Sequence, residues 1–382
     1  MTVNNRIAIF ASTSGHSGVD RKIKNLVPSL IKRGYCIDIL HVRKHGPYLE
    51  PRPGLRIIDT KTRYTYLAAF SIARYLRREQ PAVLYCEKDR VNRTAMLARL
   101  LAGSRARLVI SQGTTVSIDL QSRGWLQRQI QSFSMGRLYR YADQVITISS
   151  RVADDMSEFT GLPRHLIDHV HSPFLNADLF SHPQIKPDHP WFSENIPIVV
   201  GVGELSHRKD FATLVKAMAL VTKTRPCRLI LVGKGREFTN LKVLAQEIGI
   251  ADKVDLPGYQ SNPYGFMAYA SVFVTASLWE GLSAVVCEAL AVGTHVIASR
   301  CPGHSEVLQD GRYGDLFDFG DSEALAKLIL HALEQPHAPE HLREAARPFE
   351  IEQAAGDYLK AFNLPATAFE LENGPDIMPA TI

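Results

Sequence analysis

The most constraining feature of this chain is a repeated alternation of two kinds of segment. Short apolar runs are separated by helix-length amphipathic stretches, first from Ile7 to Ser149 and again from Ile198 to Ala298. Such alternation predicts βα units, which build parallel sheets flanked by helices. Strands are expected at 7–11, 37–42, 82–86, 107–111 and 142–149, with helices at 20–33, 66–78 and 91–102. After the break, strands are expected at 198–201, 228–232, 253–256, 271–275 and 295–298, with helices at 211–223 and 237–248 and a final one at 349–362. Residues 181–197, rich in Pro, His and Asp, read as a linker ending at Pro197. With 382 residues the chain exceeds one ordinary core. The expected class is α/β, with two Rossmann-like domains, 1–183 and 184–346, facing across a cleft. The halves differ in sequence and are not an internal repeat. Residues 364–382 read as a loose tail.

Composition narrows the class. Hydrophobic residues make up 45% and charged residues 22%, which fits a globular chain. No apolar run reaches the roughly 18 residues of a membrane span. The N-terminus enters a strand without a signal peptide, and five scattered cysteines show neither metal spacing nor a disulfide pattern, so a reducing cytoplasm is expected. Charge is uneven: residues 1–180 carry 27 Lys and Arg against 14 Asp and Glu, whereas the remainder is net negative. A basic first half suggests an anionic partner, such as a lipid surface or a phosphorylated acceptor; nucleic acid is not expected. Residues 125–141 interleave Arg128, Arg137 and Arg140 with Leu126, Ile130, Phe133, Met135 and Leu138. That pattern suits either a packing helix or a helix lying on the inner face of a membrane.

Chemistry concentrates between residues 271 and 291. The run Ser-Val-Phe-Val-Thr at 271–275 reads as a buried strand, and Gly281 allows a tight turn. Ser283 fits an N-cap, with Leu282 and Cys287 placed as a hydrophobic staple, and a helix should run to about Ala291 and stop near Gly293. A strand, a glycine turn and a helix N-terminus together make an anion site. Glu280 lies in the turn and Glu288 roughly one and a half turns into the helix. Acids beside a phosphate site suit sugar or ribose hydroxyls. The plainer reading makes Glu280 a complement to the helix dipole and Glu288 a solvated residue. The apolar neighbours Val286, Ala289 and Leu290 argue against it, because burying an unpaired carboxylate is costly.

This E-x7-E stretch resembles the signature of the retaining family 4 glycosyltransferases of the GT-B fold. The resemblance implies that Glu280 sits by the donor sugar and diphosphate, and that Glu288 holds the ribose. It also implies that the amides of Gly281, Leu282 and Ser283 hold phosphate. It extends over about residues 6–362. The loop Gly203-Glu204-Leu205-Ser206-His207-Arg208-Lys209-Asp210-Phe211 is similar to the family's loop whose Arg and Lys neutralise the diphosphate. Lys209 falls on the Lys position. The Arg position holds Glu204, a charge reversal that Arg208 would offset. Gly18 matches a glycine approaching the diphosphate from the first domain. Gly233 and Tyr259 match positions near the ribose and base. Pro302-Gly303-His304 resembles a turn near the donor. A His that many members place at the end of the 107–111 strand is missing, and Gln112 stands there. In this fold the last helix, 347–363, returns to the first domain.

The implied activity is hexosyl transfer from a nucleotide-sugar donor, UDP- or GDP-linked, with retention. The acceptor would be a glycan, a lipid-linked sugar or a small molecule, in bacterial polysaccharide or glycolipid assembly. Glu280 and Lys209 are the expected catalytic residues. No cofactor and no metal are expected, since no D-x-D motif occupies a suitable loop. Two rivals share the architecture: a nucleotide-sugar epimerase or phosphorylase, and a non-catalytic donor-binding subunit, which the reversal at Glu204 and the missing His keep open.

Overall fold

The computed structural model describes the whole chain except residues 1–3, 16, 121–123, 182, 336–337 and 369–382. It divides into two compact units, Met1–Phe174 with Ile351–Ile382, and Leu175–Glu350. Residues 175–183, expected in the first domain, therefore belong to the second unit.

The first unit holds a seven-stranded sheet ordered β3-β2-β1-β4-β5-β6-β7. Its strands are β1 (Arg6–Ala11), β2 (Cys36–His41), β3 (Leu55–Asp59), β4 (Val83–Glu87), β5 (Arg107–Gln112), β6 (Gln144–Thr147) and β7 (Ile167–His169). Every pairing is parallel. Strands covered on both faces read as continuous apolar runs, which is why β1, β4 and β5 were visible in the sequence. The edge strand β3 was not: its residues Leu55, Arg56, Ile57, Ile58 and Asp59 are exposed or half-buried, so no buried run marks it. The sheet order reverses between β1 and β4. Ligands of open α/β sheets bind at the carboxyl ends of strands at such a reversal.

The helix Ile351–Phe362 packs on this unit. Its Ala355, Tyr358, Leu359 and Phe362 join one core with Ile7, Ile9, Ile23 and Leu26. Tyr85 meets Tyr358 edge-on at 5.7 Å and Phe362 at 5.5 Å. Each of these large side chains, fully buried, contributes about 1.5–3 kcal/mol. The chain stays ordered beyond this helix. Tyr35 donates to the Pro365 carbonyl at 2.8 Å, and the Ala368 amide to that of Arg33 at 2.8 Å. Residues 364–368 are thus packed rather than loose, and the rest of the expected tail lies outside the described residues.

The second unit holds a six-stranded parallel sheet ordered β10-β9-β8-β11-β12-β13. Its strands are β8 (Ile198–Val202), β9 (Arg228–Val232), β10 (Val254–Gly258), β11 (Val272–Thr275), β12 (Val296–Ser299) and β13 (Asp315–Phe317). Its order reverses between β8 and β11. The loop carrying Lys209 follows β8 and the turn carrying Glu280 follows β11, so the topology brings both to the reversal. The architecture is GT-B: two Rossmann-like parallel-sheet units.

Candidate functional site

Three loops at the carboxyl end of the second sheet are laced together by their backbones. The Gly203 amide donates to the Val232 carbonyl at 3.0 Å, Leu205 to Lys234 at 2.8 Å, and Gly233 to Gly258 at 2.9 Å. This lacing explains the glycine at 233. A Cβ there would lie 1.8 Å from the Gly203 carbonyl oxygen, so only glycine lets the backbones approach. Gly203 itself lies against the Lys209 stem, and a Cβ at 203 would come within 3.2 Å of Lys209 Cε. The turn after β11 joins the group through the Leu278 amide, which donates to the Arg208 carbonyl at 2.8 Å.

Glu280 is the centre of this arrangement. Its Oε1 accepts from Lys209 Nζ at 2.6 Å, from Arg208 Nη1 at 2.8 Å and from Ser277 Oγ at 3.2 Å. Burial alone would push the Glu280 carboxyl up, but Lys209 and then Arg208, with His304 beyond them, hold it below the usual carboxylate range. Lys209 is buried with it. Arg208 was expected to offset Glu204 at the diphosphate; it pairs with Glu280, and Glu204 is exposed to solvent.

The helix Ala284–Ala291 follows the turn, and Leu282 and Cys287 are buried at its start as a staple requires. Two details differ from expectation. Ser283 stands at the N-cap, but its side chain makes no capping bond; its Oγ is buried without a partner. Gly281 is not among the described residues with positive φ, so the turn closes without a left-handed glycine. First-turn amides and a buried hydroxyl are therefore left at one helix N-terminus, the arrangement that favours an anion. Glu288, 4% exposed, lies within this helix as its apolar neighbours implied.

His304 was not expected as a site residue. It is fully buried in the helix Pro302–Val307, whose Gly303 packs so closely on the turn that a Cβ would meet the Glu280 carbonyl oxygen at 2.7 Å. Burial pushes the imidazole down to about 4, so it is neutral near pH 7. Its Nδ1 lies 2.9 Å from the Ser299 carbonyl, which can only accept, so the proton sits on Nδ1. Nε2 is then a buried acceptor with no partner. The sequence signal was a histidine in a Pro-Gly turn, and nothing in the pattern reported its burial.

Of the remaining expected residues, Tyr259 is exposed with the Lys234 ammonium 5.4 Å from its ring centroid, next to Gly233. Gly18 lies in the other unit, as the first residue of the helix Gly18–Lys32; Ser17 and Asp20 cap that helix reciprocally, and a Cβ at Gly18 would touch nothing within 4 Å. Gln112 also lies in the first unit, at the end of β5. It lines a cavity of about 700 Å³ at the β1–β4 reversal together with Ser12, Glu87, Lys88 and Ile130. Gln112 Nε2 donates to Thr114 Oγ1 at 3.0 Å, whereas its Oε1 is buried without a partner. Below it, Glu87 Oε2 pairs with Lys22 Nζ at 2.7 Å and accepts from Tyr85 at 3.0 Å, all within the core. Desolvation would lower the Lys22 pKa, but Glu87 keeps it above the ordinary lysine value. This pair was missed; an acid closing the apolar run of β4 was its one trace.

Comparison with known proteins decides the family. Residues 183–349 match the family model described as glycosyl transferases group 1, and residues 17–172 match the glycosyl transferase 4-like domain. The chain carries two glycosyltransferase domains, 4-like in its first half and group 1 in its second. This glycosyl transferase is 36% identical over 133 residues to the lipopolysaccharide core biosynthesis glycosyltransferase LpsE of Rhizobium meliloti, a match covering 35% of the chain and 38% of that relative. It is 27% identical, over 93% of its own length and 98% of the relative's, to the N-acetylgalactosamine-N,N'-diacetylbacillosaminyl-diphospho-undecaprenol 4-alpha-N-acetylgalactosaminyltransferase of Campylobacter jejuni. Among solved structures, Anabaena HepE in complex with UDP superposes with a TM-score of 0.74 at 17% identity, covering 94% of this chain and 99% of that one.

Proposed function

We propose that this glycosyl transferase moves a hexosyl group from a nucleoside-diphosphate sugar to a glycan or lipid-linked acceptor, with retention, in the assembly of bacterial polysaccharide or glycolipid. The observation that carries the reading is Glu280, clasped by Lys209 and Arg208 at 2.6 and 2.8 Å beside a helix N-terminus with an unpartnered Ser283 hydroxyl. Cleaving the bond between the anomeric carbon and the diphosphate leaves negative charge on the leaving oxygen. Preorganised cations and amides lower that barrier most. Lys209, Arg208 and the amides of Gly281, Leu282 and Ser283 meet that need. Glu280, ionised and shared by two cations, positions them and accepts from sugar hydroxyls; pinned in this way it does not serve as nucleophile. The acceptor oxygen then bonds to the anomeric carbon on the face the diphosphate leaves, and its proton passes to a phosphate oxygen. Glu288 holds the ribose hydroxyls, with Gly203, Gly233 and Tyr259 forming the base side. No cofactor or metal enters the scheme.

The names of the relatives, for lipopolysaccharide core and for a diphospho-undecaprenol substrate, support the acceptor class, and HepE's bound UDP favours a uridine donor. Among the described residues no helix is long and apolar enough to cross a membrane. Leu126, Ile130 and Phe133 of the helix Trp125–Leu138 face solvent at 63%, 61% and 69% exposure. With the basic first half, they support peripheral binding to an anionic cytoplasmic membrane face. Salt-sensitive sedimentation with phosphatidylglycerol vesicles tests it, and equal binding to neutral vesicles counts against it. For the donor, a thermal-shift panel of UDP-, GDP- and ADP-sugars is decisive. A ligand at a hundred times its Kd stabilises by about 2.7 kcal/mol, and no shift with any of the three would sink the reading.

A further inference from the structure

A buried line of hydrogen bonds runs from His304 to Glu280. The His304 Nδ1–H donates to the Ser299 carbonyl at 2.9 Å, and the same nitrogen lies 3.2 Å from Ser299 Oγ. Ser299 Oγ donates to the Ser277 carbonyl at 2.6 Å. Ser277 Oγ donates to Glu280 Oε1 at 3.2 Å. Each acceptor along this line is a carbonyl or an ionised carboxylate, so the direction of every bond is fixed. Ser277, Ser299 and His304 are all fully buried. The line ends on the same oxygen that Lys209 and Arg208 share.

Packing joins the same two segments. A Cβ at Gly303 would meet the Glu280 carbonyl oxygen at 2.7 Å, and the backbone amides of His304, Glu280 and Gly303 face the Cys301 sulfur. The turn after β11 and the helix Pro302–Val307 are thus held as one piece. A histidine is a costly residue for that place. Its Nε2 is buried with no partner, and an unmet buried acceptor is destabilising. A leucine would fill the space without that cost. What the imidazole adds is one N–H aimed at the Ser299 carbonyl. It supplies that donor without charge, since burial keeps the ring neutral near pH 7. A charged donor would bring a third cation towards Glu280, in competition with Lys209 and Arg208.

We propose that His304 is a positioning residue for the transfer reaction. Without touching the donor, it holds Ser299, through Ser299 the turn after β11, and so the Glu280 carboxylate that orders Lys209 and Arg208. The proposal rests on the transfer activity argued above and adds a residue outside the donor-binding set. One displacement of Glu280 moves both cations, and charges aimed at a leaving group lose their effect when they are misplaced. Glu288 and the base side still hold the donor, so the loss falls on kcat more than on KM.

The test uses the full chain with the nucleotide sugar that gives the largest melting shift, and water as the acceptor. His304→Leu removes the donor to Ser299, and His304→Asn returns it, since an asparagine amide nitrogen stands where Nδ1 does. His304→Leu should lower kcat by about tenfold and leave the donor KM within about twofold, and His304→Asn should recover most of the loss. A double-mutant cycle follows the path: once Ser299→Ala has cut the line, adding His304→Leu should lower kcat by less than about twofold more. A leucine variant with wild-type kcat, an asparagine variant no better than leucine, or losses that multiply in the cycle overturn the proposal. Amide exchange of the unliganded chain reads the linkage without activity. The amides of residues 277–281 should exchange faster in the leucine variant and return to wild-type rates in the asparagine variant, and unchanged exchange overturns it. If the wild type releases and transfers no sugar while exchange behaves as stated, the transfer reading fails and the hold of His304 on the turn stands.

Discussion

Replacing Lys209 by alanine separates structure from chemistry at the proposed donor site. Lys209 Nζ lies 2.6 Å from Glu280 Oε1, with side-chain exposures of 8% and 11%. Removing one partner of a buried pair typically costs about 3–5 kcal/mol, because it strands a charge. Here Glu280 keeps Arg208 at 2.8 Å and Ser277 at 3.2 Å. The stability loss should therefore fall below that range, to about 1–2 kcal/mol. The chemical loss is larger. A cation about 4 Å from the leaving diphosphate contributes about 4 kcal/mol at an effective dielectric of 20, which corresponds to roughly a thousandfold in kcat/KM. Thermal melts and initial rates on one preparation read both effects. Adding Glu280→Gln to Lys209→Ala should restore none of the rate, since the missing cation does not return, and no stability, since Arg208 then loses its partner as well. A fall in kcat/KM of less than tenfold alongside a lowered melt would refute the reasoning and make the pair structural.

Three further outcomes follow from the geometry. Glu288→Ala should weaken donor binding by about 1.5–3 kcal/mol through lost ribose hydrogen bonds; calorimetry on a folded variant checks it, and unchanged affinity removes the assignment. Glu204→Ala should leave kcat/KM within about twofold, because Glu204 is exposed and the nearby Arg208 is committed to Glu280; an inactive variant would show that Glu204 has a role of its own. His304, held at about 4 when folded, takes up its proton first in the unfolded chain, so its contribution is complete above about pH 6.5 and lost as pH falls towards 4. The loss amounts to up to about 3 kcal/mol, and His304→Gln should flatten that part of the pH–stability curve measured by denaturant titration; an unchanged slope contradicts it.

The sequence made some of this legible and hid the rest for physical reasons. Strands covered on both faces leave apolar runs, so β1, β4, β5, β8, β9, β11 and β12 were anticipated within a residue or two. β3 and the three-residue strands β7 and β13 were not, because half-exposed or very short strands carry no run. The E-x7-E turn announced Glu280, the helix after it and the burial of Glu288, since its spacing is local. The partner of Arg208 is set by the turn after β11, some seventy residues away, and the loop's own sequence pointed to Glu204 instead. His304 and the Lys22–Glu87 pair depend on burial by distant segments. Their residue types are equally at home on a surface, so local pattern carries no mark of them.

The most direct test of the central claim is amide hydrogen exchange of the full chain with and without a saturating uridine-diphosphate sugar. The account predicts protection concentrated in the second unit, at the loop holding Gly203, Arg208 and Lys209 and at the turn and helix from Glu280 to Glu288. Protection confined to other segments, or none although the nucleotide sugar is shown to bind, would contradict it.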